Sequence, residues 1–134
     1  MALSAAYEKH PQHRIEIDAE CVSIRVTLDG EILAQTTRGL KLHENNYLPV
    51  VYIPREDVHM ERLVSSELST HCPFKGDASY FRGRTASDSG TEAKADAPSE
   101  ELAWSYETPF DQMEAIRGHL AFYADRVRIE SLTD

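Results

Sequence analysis

A strict period of two runs through "VSIRVTL", residues 22–28, and stops at Asp29-Gly30. Val22, Ile24, Val26 and Leu28 fall on one side of an extended chain, and Ser23, Arg25 and Thr27 on the other. Successive side chains of a strand point to opposite faces, so this spacing is that of a half-buried β-strand. Asp-Gly suits the positive φ angles of a type I′ turn, which joins two antiparallel strands tightly. Residues 31–36 then form the returning strand. A chain that carries such a hairpin is committed to antiparallel sheet.

The same period recurs elsewhere. Ile15 and Ile17 alternate with Glu16 and Asp18. In "RGLKLHE", residues 38–44, Leu40 and Leu42 point inward, and strand parity puts Arg38 and Glu44 on their face. Asn45-Asn46 marks a turn, and "LPVVYIP" supplies another strand closed by Pro54. "REDVHMERLV" reads as a charged turn entering a short strand through Val58 and Met60, with Leu63 as its further candidate. Residues 78–82 and 101–106 are further strands, and residues 119–131 read either as a last hairpin about Ala124-Asp125 or as a helix continued through Phe122. One helix is signalled by Thr108 as cap, Pro109 at the first position, a Met113–Ile116–Leu120 stripe and Gly118 as stop. The sum is a mainly β chain with one or two short helices.

Length and charge bound the rest. At 134 residues the chain builds one hydrophobic core in a single domain, residues 1–134. Residues 1–12 read as a loose tail. Residues 85–101 hold no aliphatic side chain larger than alanine, five acids and one base. Such a segment buries too little apolar surface to offset its ordering entropy, so a mobile acidic loop is expected. A net charge of −9 argues against a nucleic-acid partner. The longest apolar run, residues 47–53, is too short for a membrane span, and the N-terminus lacks a secretion signal. A cytoplasmic location is expected. Cys21 and Cys72 make no disulfide framework and no CxxC pair, and the histidines lack ligand spacing. Neither metal nor cofactor is expected.

Candidate chemistry gathers at two places. Arg38 and Glu44 on a core-facing edge need a partner, water or a ligand. They either lie at the ends of the sheet or line a cavity. Tyr52, Trp104 and Tyr106 bring aromatic walls with polar tips, the usual lining of a recognition pocket. The second place is "STHCPFKGDASYF", residues 69–81. Cys72 there is either a small buried residue at a corner or a nucleophile. His71 would face away from it in an extended chain, whereas Lys75 would return over the sulfur across a turn at residues 73–76. Lys75 could otherwise meet an anionic ligand at the rim or pair with Asp77.

The stretches "TTRGLKLHE", "PVVYIPREDVHMERL", "THCPFKGDASYF", "LAWSYETP" and "IRGHLAFYADRV" occur in the order seen in a bacterial family. Over residues 14–130 the chain resembles domain-of-unknown-function family 427, sometimes labelled nucleotidyltransferase-like. Residues 85–101 are an insert relative to that pattern. The resemblance implies a β-tent-like fold, two antiparallel sheets meeting at an angle over a ligand cleft. Methionine sulfoxide reductase B and the drug-binding domain of cereblon share that architecture. The zinc held by two CxxC pairs in that wider group has no counterpart here. The expectation is a domain binding a small polar or anionic molecule through Arg38, Glu44, Tyr52, Lys75, Trp104 and Tyr106. The alternatives are an enzyme on the same cleft, by Cys72 thiol chemistry or nucleotidyl transfer, and a homodimerisation module. Nucleotidyl transfer calls for a Gly-Ser pair and an Asp-x-Asp motif, and neither occurs.

Overall fold

The computed structural model describes residue 9 and residues 14–19, 22–45, 47–83 and 101–132. The expected tail and acidic loop fall outside the described residues, apart from residues 9 and 101. The chain is mainly β. Its strands are β1 (Ile15–Ala19), β2 (Ser23–Leu28), β3 (Glu31–Thr36), β4 (Leu40–Glu44), β5 (Val50–Tyr52), β6 (Leu63–Cys72), β7 (Gly76–Gly83), β8 (Glu101–Ser105), β9 (Leu120–Phe122) and β10 (Arg128–Leu132). They form three antiparallel sheets rather than two: β1-β4-β5, β10-β2-β3 and β6-β7-β8-β9.

The β2–β3 hairpin forms as the alternation requires, with Asp29 at φ 51° and Gly30 at φ 85°. Both turn residues are left-handed, the signature of type I′. The closing segment is no hairpin. Leu120–Phe122 pairs with β8, while Arg128–Leu132 crosses to β2 and becomes an edge of the second sheet. Strand β6 lies in a stretch that the sequence reading took partly for a corner. Its residues are largely exposed, so the apolar alternation that betrays a strand is nearly absent.

The helix is also shorter than its signals. Residues Asp111–Ile116 make a 3₁₀ turn with Phe110, not Thr108, at its start. Met113 sits outside helical dihedrals, at φ −113° and ψ 19°. Met113 and Ile116 are nevertheless both buried. A spacing of three suits the three-residue period of a 3₁₀ turn as well as it suits an α-helix, which is why the stripe misled.

Two sheets join at one point. The Ile53 N–H donates to the Leu120 carbonyl at 2.7 Å, and the Leu120 N–H returns to the Ile53 carbonyl at 2.8 Å. This bridge links the β5 edge of the first sheet to the β9 edge of the third. Alternation there sends side chains to two cores. Val51, Ile53, Leu120 and Phe122 join Ile24, Val26 and Leu33 of the second sheet. Tyr52, Ala121, Leu42, Ala78 and Tyr106 gather on the opposite side with Met113 and Ile116. The joined sheets are therefore apolar on both faces, and the second sheet covers only one of them.

Candidate functional site

The face turned away from the second sheet collects most of the candidate residues. Strand parity puts Leu40, Leu42 and Glu44 on one side of β4, with Tyr52 opposite Leu40 and Ile15 opposite Glu44. In the third sheet, Tyr80, Trp104 and Ala121 lie side by side on β7, β8 and β9. Around the buried cluster, Ile15, Ile17, Leu40, Cys72, Tyr80 and Trp104 are only partly buried. This face is thus incompletely covered among the described residues.

Its polar centre is an ion pair. Lys75 Nζ donates to Glu44 Oε1 at 2.6 Å, and the two side chains are 9% and 12% exposed. The fold aims the lysine there. The β6–β7 turn closes with the Lys75 N–H on the Cys72 carbonyl at 3.3 Å, and the Phe110 N–H donates to the Lys75 carbonyl at 3.0 Å. Gly76 makes that clamp possible. Its φ is +118°, and a Cβ would stand 3.3 Å from the Pro109 Cα, so no larger residue fits without moving backbone.

The aromatic side chains are tied to each other. The Trp104 Nε1–H donates to Tyr52 Oη at 3.2 Å, with the two rings edge to face at 6.4 Å. Tyr106 lies 6.5 Å from Tyr52. Burial raises the Tyr52 phenol well above its ordinary pKa, and the Trp104 bond only partly offsets it. Burial raises Tyr106 likewise, with Tyr52, Cys72, Tyr80 and Glu44 adding to it. Both phenols therefore stay neutral.

Arg38 lies elsewhere. Strand β4 begins only at Leu40, so the parity that placed Arg38 beside Glu44 does not extend through Gly39. The guanidinium is 56% exposed and bonds Glu56 and Asp57, each at 3.2 Å. Arg38 and Glu44 are not a pair; each has another partner. Lys75 in turn is buried rather than at a rim, and Asp77 bonds His71 at 2.8 Å instead. Lysine in a Lys-Gly-Asp turn reads as solvated, and strand parity set Glu44 beside Arg38, so nothing local signalled the Lys75–Glu44 pair. Cys72 Sγ lies 3.9 Å from Lys75 Nζ. His71 and Cys72 point oppositely along β6, as an extended chain demands. Among the described residues no three His, Cys, Asp or Glu side chains converge to hold a metal ion. Cys72, the one described free cysteine, does not fit a zinc site. No helix among them is long and apolar enough to cross a membrane.

The Arg38 cluster makes a pH prediction. Burial raises the Asp57 carboxyl, but the Thr36 hydroxyl at 2.7 Å and the Arg38 guanidinium outweigh it and leave the pKa below the ordinary value. A carboxyl depressed in the folded state contributes stability above its unfolded pKa, and that contribution disappears as pH falls through the folded value. Asp57→Asn is therefore expected to lower the melting temperature at neutral pH, with the gap to wild type closing below about pH 4. Melting curves from pH 7 to pH 2 check this; a gap that widens on acidification contradicts it.

No curated protein matches the chain. The family model described as "Domain of unknown function (DUF427)" matches residues 16–133, which include Glu44, Tyr52, Lys75, Trp104 and Tyr106, so the chain belongs to that family.

Proposed function

We propose that the domain binds a small polar molecule on the face shared by the first and third sheets, with the Lys75–Glu44 pair as its polar anchor. One observation carries this reading: an ion pair almost withdrawn from water sits beside two neutral phenols on a face that is only partly covered. Removing two charges from water costs several kcal/mol per ion, and stability is a poor reason to keep such a pair. Recognition of a polar ligand is a better one. Lys75 and Glu44 neutralise each other, so the site suits a neutral or zwitterionic molecule with both donors and acceptors. An anion would have to displace Glu44. Tyr52, Tyr106 and Trp104 supply the wall, and Arg38, bonded outside this face, plays no part.

The test is thermal melting against a panel of zwitterionic amino acids, neutral amides and small dicarboxylates. A ligand present at a hundred times its Kd stabilises the folded state by about 2.7 kcal/mol. Upward shifts are expected from zwitterions or amides and are lost in a Lys75→Met, Glu44→Leu double variant. Shifts from dicarboxylates alone, or shifts that survive in the double variant, overturn the reading. A melting point that responds to protein concentration and to no ligand favours the dimerisation module.

Thiol chemistry is a second reading, favoured by the 3.9 Å separation of Cys72 Sγ and Lys75 Nζ. That ammonium is already bonded to Glu44 at 2.6 Å, which leaves less of its field for the sulfur. Iodoacetamide labelling of Cys72 slower than of an unfolded cysteine peptide removes the thiol reading.

A further inference from the structure

A cavity of about 360 Å³ opens on the other side of the joined sheets. Ile24 and Val26 of β2 form one wall, and Val51, Ile53 and Phe122 the opposite wall. Ile24, Val26, Ile53 and Phe122 are at most 4% exposed. These four close its base, and its reachable surface is supplied by the partly buried Val51, Trp104 and Tyr123 and by Leu48 and Ile129. The Trp104 and Tyr123 rings lie 4.7 Å apart, and both line it. None of its lining side chains among the described residues is charged. Leu48 and Ile129 stand at the lip, 86% and 39% exposed.

These features point to one class of ligand. An ion entering this space would lose its hydration and find no counter-charge, at a cost of many kcal/mol. A neutral ring loses nothing and gains dispersion contacts with the indole and phenol faces. Ligand pockets span roughly 300–1,000 Å³, and this one sits at the small end. A second copy of the chain is a poor occupant. A stable interface needs about 800 Å² per partner, and among the described residues only Tyr47, Leu48 and Ile129 offer large exposed apolar groups near this opening. We propose that the inter-sheet cavity is a second binding site, distinct from the Lys75–Glu44 pair although Trp104 borders both, for a small neutral molecule carrying an aromatic or alicyclic ring.

The probe is N-phenyl-1-naphthylamine, a neutral fluorophore. Trp104 is the only tryptophan in the chain and borders both the cavity and the Lys75–Glu44 face, so its quenching reports binding and the variants below assign the site. The expected result is saturable binding of one probe per chain with loss of Trp104 emission. Val51→Phe fills the space and is expected to weaken binding at least about tenfold. Leu48→Asp puts a charge on the lip and is expected to weaken it several-fold. The Lys75→Met, Glu44→Leu double variant should bind the probe as wild type does, whether or not the polar site exists. Unsaturable binding, or an affinity unchanged by Val51→Phe, overturns the proposal. If Val51→Phe fails to fold, Leu48→Asp decides, because a side chain so exposed does not support the core, and wild-type affinity there overturns the proposal. Probe binding that disappears as sedimentation shows a dimer forming gives the cavity to a second copy and overturns it too.

Discussion

Replacing Lys75 with methionine is expected to cost about 3 kcal/mol of folding stability, the lower end of the range for breaking a buried ion pair. In a domain of this size that lowers the melting temperature by about 10 °C. The cause is what remains. Glu44, 12% exposed, keeps its charge without the ammonium now 2.6 Å away. Glu44→Leu alone is expected to cost less, because the lysine stem can carry its ammonium toward water. Combining the two replaces the charges with apolar volume and restores most of the loss. The double-mutant cycle should therefore show a coupling of about 2 kcal/mol or more. Additive single effects would mean that Lys75 and Glu44 do not interact in solution.

The second large effect is expected at the sheet junction. Leu120 is fully buried and packs in the core between the second sheet and the joined pair. Leu120→Ala removes that packing and leaves a cavity, at an expected cost of about 2–5 kcal/mol. Chemical denaturation gives the value directly. Leu48→Ala is the control, since a leucine 86% exposed is expected to change stability by no more than about 0.5 kcal/mol. Equal effects at the two positions would show that the first and third sheets do not meet at Leu120.

The parts of this fold that were legible before the structure are those governed by local rules. Asp29-Gly30 announced its own turn, and the alternation before it named the buried residues Ile24 and Val26. Parity also set Glu44 and the leucines of β4 on the same face correctly. It failed at Arg38, where Gly39 interrupts the strand and the count of residues no longer tracks the face. Strand β6 escaped because its side chains are mostly in solvent and few of them are apolar. The partner of β10 escaped for another reason: nothing in "RVRIE" distinguishes pairing with β9 from pairing with β2. The site shows the same division. Tyr52, Trp104 and Tyr106 fall together because strand aromatics face a core or a pocket. The burial of Lys75 depends on Phe110 and Glu44 closing around it from distant parts of the chain, and no local pattern records that.

The central claim is that the Lys75–Glu44 face holds a small ligand. Native mass spectrometry of freshly purified protein tests it most directly, comparing wild type with the Lys75→Met, Glu44→Leu double variant. The account predicts a bound species of small mass on the wild-type chain that the folded double variant has lost. The same species on both proteins, or bare protein in both, would contradict it.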